Sequence, residues 1–142
     1  YIETYNKKLY QQHGIDIKFV QDDISVSKKD VLRGIHGDQE TWKLISCLAG
    51  QFFLVVINNN INSDQYKQWS SFTLSEKNRI QILIPPRFGN GHVVLSDRAI
   101  FHYKQSTYYN PDGQFTIHWN DPAYNIQWPI ENPILSKRDE IG

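Results

Sequence analysis

The chain has 142 residues, a length typical of one domain, and its 15 basic and 15 acidic side chains leave a formal net charge of zero. This balance argues against a nucleic-acid or anionic-membrane partner, and no apolar run approaches the roughly 20 residues of a membrane-spanning helix. The lone cysteine, Cys47, lies in an apolar stretch and indicates a reduced, cytoplasmic setting.

The predicted elements begin with one helix and continue as short strands. Apolar residues at helical spacing predict a helix over residues 2–13, ended by Gly14. Beyond it, runs rich in Val, Ile, Phe, Trp and Tyr alternate with turn signals, and they predict strands over residues 15–20, 31–36, 42–48, 51–57, 69–74, 80–84, 92–95, 100–105 and 114–119 and near Ile126. Strands at this spacing indicate an all-β sandwich or barrel. The charged residues 134–142 lack periodicity and predict a frayed tail.

Two residues stand out for acid–base chemistry, His36 and Tyr103. Arg33 lies three residues before His36 in a stretch with two glycines, and such a setting is typical of a site for an anionic ligand with a titratable group. The phenol of Tyr103 has an ordinary pKa near 10, so it can donate a proton and still be protonated at pH 7. The residues alone leave a packing role open for both.

A metal site is a competing interpretation of the same histidine. Metal-binding cupins carry an H-x-H motif followed by a Glu, and later a P-x-G-x-x-H motif. In this chain Gly37 and Asp38 follow His36, so the second histidine of the first motif is missing, and residues 86–92 match the later motif only in part. A ligand set of His36, Glu40 and His92 is nevertheless chemically possible.

Four motifs follow one another along the chain: V-L-R-G-I-H at 31–36, Y-K-x-x-x-Y-Y at 103–109, W-N-D-P with I-x-W-P at 119–129, and P-I-L-S-K-R-D at 133–139. In this order they resemble the motifs of the nucleoside-diphosphate 4-keto-6-deoxy-sugar 3,5-epimerase family. The resemblance covers essentially the whole chain. It implies a cupin-type double-stranded β-helix, or jelly roll, with a short N-terminal helix. It also implies a homodimer that needs neither a metal nor a cofactor.

The resemblance also implies a role for each catalytic residue. His36 would be the base that removes a proton next to the 4-keto group, and Asp139 would hydrogen-bond its imidazole. Lys43 would lie near the keto oxygen, where the enolate develops its charge. Tyr103 would return a proton on the opposite face of the sugar, which inverts C3, C5 or both. The product would be a deoxysugar for a surface polysaccharide.

Several further residues match substrate-contacting positions of the family. They are Glu3, Gln21, Asp23, Arg33, Asn90, Tyr109, Gln114 and Arg138. Arg33 would contact the diphosphate, because a guanidinium fork suits that geometry, and Arg138 is a second cation for the same group. Glu3, with Tyr1 nearby, matches a segment that reaches the nucleotide base in the partner subunit.

The chain departs from the family at several positions. Asp23 stands for Asn, Asn90 for His, His92 for Phe and Gln114 for Glu. The loop from His36 to Lys43 is short and resembles the branch that acts on GDP-4-keto-6-deoxy-heptoses, so we expect a GDP- or dTDP-linked sugar, with this branch favoured. Residues 1–142 are expected to form a single epimerase domain, and strands are expected to precede Tyr1, because the family's N-terminal Arg-Gly and the initiating Met are absent.

A non-catalytic module that only binds a sugar nucleotide is the last alternative. It would use the same diphosphate contacts as the enzyme. The presence of both His36 and Tyr103 argues against it, because a binding module needs no acid–base pair.

Overall fold

The computed structural model describes residues 1–141, with the backbone alone described for Ile141. These residues form ten strands and two short helices. The helices are α1 (Lys7–Gln12) and α2 (Lys137–Ile141), and a 3-10 turn spans Pro111–Gly113. The strands are β1 (Gln21–Lys28), β2 (Val31–Gly37), β3 (Lys43–Ala49), β4 (Gln51–Asn58), β5 (Trp69–Ser75), β6 (Gln81–Ile84), β7 (Phe88–Val94), β8 (Arg98–Gln105), β9 (Phe115–Thr116) and β10 (Ile134–Leu135). The expected all-β class with a short N-terminal helix is confirmed. Neither described helix has the length and apolar character needed to cross a membrane.

The strands form two sheets. One sheet has four strands in the order β1-β8-β3-β6, and the other has six, in the order β10-β2-β7-β4-β5 with β9 beside β2. β10 runs parallel to β2, and the other pairs of these strands are antiparallel. Apolar side chains from both sheets form the main core, which contains Ile45, Cys47, Phe52, Leu54, Leu74, Ile84, Val94, Ala99 and Phe101.

The continuous apolar run of β4 is explained by burial on both of its faces. Phe52 and Leu54 belong to the main core, whereas Val55 and Ile57 belong to a second cluster on the opposite face. The segment after β9 covers that second face. Its packing against the sheet is fixed in part by the indole of Trp69, whose Nε1–H donates to the carbonyl oxygen of Tyr124 at 2.7 Å. The W-N-D-P and I-x-W-P motifs therefore lie in a covering segment.

The strand predictions fail at both ends of the chain. Residues 15–20 are not a strand, and β1 begins only at Gln21. The predicted strand over 114–119 shrinks to β9, and the segment near Ile126 packs against the second cluster without forming a strand. Whether an apolar run joins a ladder depends on an available partner strand, which local propensity does not reveal.

Residues 89–91, whose Gly-Asn-Gly sequence is typical of a turn, lie instead within β7. The two glycines serve close packing rather than a change of direction. A Cβ atom on Gly91 would lie 2.8 Å from Cγ1 of Ile35 on the neighbouring strand β2. Glycine at this position therefore allows β2 and β7 to pack closely beside the site described next.

Candidate active site

A cavity of about 530 Å³ lies between the two sheets and collects most of the expected site residues. Its lining includes Gln21, Asp23, Arg33, His36, Lys43, Asn90, Tyr103, Tyr109, Gln114 and Arg138. Ser25, Phe101 and Gln105 also line it and were missed by the sequence analysis. The two-residue period of a strand could have found them. Ser25 lies two residues from Asp23 on β1, and Phe101 and Gln105 each lie two residues from Tyr103 on β8, so all of them face the cavity.

A local irregularity of β2 brings Arg33 and His36 to the same side. Residues three apart in a regular strand face opposite sides of the sheet. The register of β2 against β7 shifts between Arg33 and His36, and both side chains line the cavity. Gly34 lies within this shift at a φ of +125°, and a Cβ atom there would meet the Cα of Gly91 at 2.5 Å. The irregularity therefore depends on glycine at position 34.

Both imidazole nitrogens of His36 have partners. Nε2 lies 2.8 Å from Oδ1 of Asp139, and Nδ1 lies 3.2 Å from Oγ1 of Thr116. Thr116 is the cross-strand partner of His36 in the β2–β9 pair. The sequence analysis missed Thr116, since no local pattern reveals which residue a two-residue strand will face. With Asp139 accepting a hydrogen bond from Nε2–H, the lone pair of the neutral ring is on Nδ1.

Asp139 is 3% exposed, so the residues around it are ordered rather than frayed. β10 pairs with β2 and leads directly into α2, which carries Asp139. Ser136 donates its hydroxyl to Oδ2 of Asp139 at 3.0 Å, and the backbone N–H of Gly34 donates to the same oxygen at 3.3 Å. Burial acts to raise the pKa of Asp139, but the contacts with His36, Ser136 and Gly34 outweigh it and hold the pKa below its ordinary value.

Tyr103 enters the cavity from the four-stranded sheet, opposite the sheet that carries His36. Its cross-strand partner on β1 is Asp23. Burial, and then the charge and hydrogen bond of Asp23, raise the pKa of Tyr103 to about 12. The phenol is therefore protonated over the whole physiological range.

Lys43 links the two sheets at the cavity. Its Nζ donates to Oδ1 of Asn90 at 3.3 Å, so the ammonium group lies beside the residue that pairs with His36 in the β2–β7 register. Burial lowers the pKa of Lys43 below its ordinary value; Asp38 opposes this shift, and Arg138 adds to it. A buried Lys beside an amide is suited to donate to a developing oxyanion.

The remaining expected contacts lie around the cavity mouth, except for Glu3. Arg138 donates to Oε1 of Gln114 at 3.3 Å, and Nε of Arg33 donates to the hydroxyl of Ser27 at 3.0 Å. Both guanidinium groups line the cavity and supply positive charge there. Glu3 lies outside it, in a small depression that Tyr10 and Gln81 also line, so its expected role at a partner's nucleotide stays a prediction.

The alternative metal-ligand set is not assembled. Among the described residues, no group of three His, Cys, Asp or Glu side chains is arranged to hold a metal ion. Glu40 is exposed, and its backbone N–H donates to the Asp38 side chain. His92 is buried and stacks on Phe101 with ring centroids 4.1 Å apart, and burial lowers its pKa to about 3. His92 is therefore part of the cavity wall as a neutral aromatic group.

The comparisons with known proteins point to one enzyme family. The family model for dTDP-4-dehydrorhamnose 3,5-epimerase matches residues 1–142. The enzyme of that name from Methanothermobacter thermautotrophicus is 38% identical over 98% of the chain and 78% of its own length. The Bacillus anthracis enzyme, solved with TDP and pyrophosphate bound, has a TM-score of 0.95 and 36% identity over 98% of this chain and 82% of its own. The Legionella pneumophila enzyme, solved with dTDP-4-keto-L-rhamnose, has a TM-score of 0.92 and 40% identity over 98% of this chain and 76% of its own.

These similarities confirm the jelly-roll fold and correct the expected branch. The relatives are named for dTDP-linked sugars and give no support to the GDP-heptose branch. A physical reason is visible in the short loop on which that expectation depended. His36 and Lys43 at its two ends line the cavity, whereas no described residue between them does. The length of the loop therefore says little about which nucleotide is bound.

Proposed function

The chain belongs to the dTDP-4-dehydrorhamnose 3,5-epimerase family, and we propose that it epimerises a dTDP-linked 4-keto-6-deoxy sugar with His36 as base and Tyr103 as acid. Epimerisation of a sugar nucleotide, an isomerase reaction, is the activity that this membership establishes. One observation carries the residue roles. The base and the acid belong to opposite sheets and line one cavity, which is the arrangement that inversion of a carbon centre requires.

Proton removal begins at His36. The carboxylate of Asp139 fixes the tautomer of the ring by accepting from Nε2–H, which leaves Nδ1 to take the proton next to the ketone. The hydroxyl of Thr116 lies beside this nitrogen at 3.2 Å. Substrate binding must bring the C–H bond to the same nitrogen in its place. The imidazolium that forms is then stabilised by the negative charge of Asp139.

The electron pair released from the C–H bond moves onto the 4-keto oxygen. Lys43 donates to that oxygen as its negative charge grows, and Asn90 orients the Lys43 ammonium group through its 3.3 Å hydrogen bond. Tyr103 then donates its phenolic proton to the carbon from the opposite sheet. C3 and C5 both flank the ketone, so the same groups can act at either carbon once the sugar shifts in the cavity.

The diphosphate is assigned to the cations at the cavity mouth. Arg33 and Arg138 both line this region, and a guanidinium group binds phosphate oxygens in a bidentate manner. The dTDP nucleotide is supported by the relatives, two of which were solved with TDP or a dTDP sugar bound.

A homodimer and a cytoplasmic setting complete the proposal. The exposed apolar side chains of β1, Ile24 at 59% and Val26 at 50%, support a second copy of the chain at that edge strand. The free, buried thiol of Cys47 supports a reduced compartment. Light scattering coupled to gel filtration would test the first of these statements.

Solvent exchange in D2O tests the function. The protein is incubated with dTDP- and GDP-linked 4-keto-6-deoxy sugars, and the C3 and C5 protons are followed by NMR. We expect deuterium to enter the dTDP sugar and inverted product to accumulate, with exchange at both carbons for a 3,5-epimerase and at C3 alone for a 3-epimerase. Binding of the dTDP sugar without any exchange would contradict the proposed acid–base roles and favour the non-catalytic module instead.

A further inference from the structure

Asp23 is the only carboxylate among the described residues that line the cavity. It stands directly across from Tyr103 in the β1–β8 register. Nε2–H of Gln21 donates to Oδ2 of Asp23 at 2.8 Å, and Gln21 in turn accepts from the backbone N–H of Tyr109 at 3.1 Å. The carboxylate is therefore held in place on the same cavity wall as Tyr103.

The other charged or titratable groups of the described residues around the cavity are not carboxylates, and they lie on other elements than β1. They are Tyr109 after β8, Lys43 on β3, Arg33 and His36 on β2, His92 on β7 and Arg138 on α2. Burial alone would disfavour the phenolate, and the cations would favour it. The raised pKa of Tyr103 shows that burial and Asp23 prevail.

A phenol has one proton and can donate it to one acceptor at a time. A Tyr103 hydroxyl that donates to Asp23 cannot at the same time donate to a carbon of the substrate. The negative charge of Asp23 also makes the phenolate that remains after donation less favourable. Both effects oppose delivery of the proton to the enolate.

We propose that Asp23 is a positioning residue that withholds the proton of Tyr103, so that the hydroxyl turns to the enolate only when bound substrate separates it from this carboxylate. The inference rests on the proposed function for its consequence in catalysis. The reaction then includes one more step, the separation of the Tyr103 hydroxyl from Asp23 before the phenol donates its proton. A proton removed by His36 can be returned by His36 without inversion, and Asp23 lengthens the time in which this happens. Exchange with solvent therefore exceeds inversion in each turnover.

The first test needs no substrate. The protein is labelled with tyrosine carrying 13C at Cζ, and the Tyr103 signal, assigned by its loss in Tyr103→Phe, is titrated with alkali. In Asp23→Asn we expect the Tyr103 midpoint to fall by about 1 pH unit, the effect of removing one nearby charge. Far-UV circular dichroism at each pH establishes that the chain stays folded.

Asp22→Asn is the matched control. It removes the same charge from the neighbouring position of β1, where the side chain is exposed and paired with His102 and Lys104 on the other face of the sheet. We expect it to leave the Tyr103 midpoint where it is in the parent. An unchanged midpoint in Asp23→Asn, or an equal shift in Asp22→Asn, would overturn the proposal.

The second test measures the ratio of inversion to exchange with the dTDP sugar in D2O. This ratio should rise about 3-fold in Asp23→Asn. A donor whose pKa is one unit lower is a tenfold stronger acid, and the rate of proton donation increases by part of that factor. A ratio that falls or stays constant would also overturn the proposal. A parent that exchanges no proton at all would contradict the proposed function, whereas the titration still decides whether Asp23 acts on Tyr103.

Discussion

The Nε2 atom of His36 lies 2.8 Å from the Oδ1 atom of Asp139, although one residue is on β2 and the other on α2 near the opposite end of the described chain. The parallel pairing of β10 with β2 makes this contact possible, because it directs α2 toward the buried side of β2. The proposed base, His36, thus depends on the fold of the C-terminal segment as much as on its own strand.

Replacing the base removes both exchange and inversion. In His36→Asn we expect kcat to fall by about 10²–10⁴-fold, the usual contribution of general base catalysis. Binding of the dTDP sugar should persist, because the cations at the cavity mouth are unchanged. The measurement is NMR in D2O together with calorimetric titration of the ligand. His13→Asn, at an exposed histidine beyond α1, is the control and should retain parent rates. A His36→Asn variant that exchanges at the parent rate would disprove the assignment of the base.

Replacing the acid separates the two half-reactions. In Tyr103→Phe the base can still remove and return a proton, so deuterium should enter the substrate while inverted product falls by about 10²-fold or more. The same NMR time course reports both quantities. Tyr108→Phe, at a neighbouring exposed tyrosine, should invert normally. Equal loss of exchange and inversion in Tyr103→Phe would mean that Tyr103 does more than deliver the second proton.

Acid should weaken the contribution of Asp139 to stability. Its pKa lies below the ordinary value of 3.8, so the carboxylate stabilises the fold above that pH, and this stabilisation is lost as the pH falls through the folded-state value. At pH 7, Asp139→Asn should lower the free energy of unfolding by about 1–3 kcal/mol, the range for a hydrogen bond to a charged group. The difference from the parent should shrink below about pH 4 in urea titrations. Glu140→Gln, an exposed change in the same helix, should show no such pH dependence. A difference that stays constant down to pH 3 would contradict the role of the charge.

The alkaline limit of the reaction should be set by Lys43 rather than by Tyr103. The pKa of Lys43 is lowered from 10.5 by burial, whereas that of Tyr103 is raised to about 12. The rate should therefore begin to fall below pH 10.5, as Lys43 loses its proton while the phenol keeps its own. Lys43→Met should lower kcat by about 10²–10³-fold at pH 7, the cost of removing an oxyanion donor. Rates that stay flat up to pH 11 in the folded parent would exclude Lys43 as the charged donor.

The motifs predicted which residues line the cavity better than the apolar pattern predicted the strands. His36, Lys43 and Tyr103 were assigned from residue type and resemblance, and the cavity brings all three together. By contrast, β1 was not predicted, because its cavity-facing positions are polar and therefore look like loop. A strand that lines a binding cavity need not alternate apolar and polar residues, so periodicity misses it.

Long-range pairing explains what the sequence could not reveal. Thr116 reaches His36 only through the β2–β9 pair, and the register shift within β2 is a property of the folded backbone. Local propensity carries no information about either feature. The tail was predicted as frayed for the same reason, since its order comes from contacts with β2 and not from its own composition.

The proposed base, His36, and the proposed acid, Tyr103, lie on opposite sheets, so the packing of the hydrophobic core between the sheets sets the distance between them. The ring of Phe101 packs against Phe52 at 5.1 Å and against Tyr103 at 5.7 Å, so this layer sets how far the phenol stands from the opposite sheet. A change of side-chain volume there would alter the gap that the sugar ring must bridge, with every catalytic group still present. The core residues that contribute to thermal stability therefore also set the width of the cavity in which the proposed base and acid face each other.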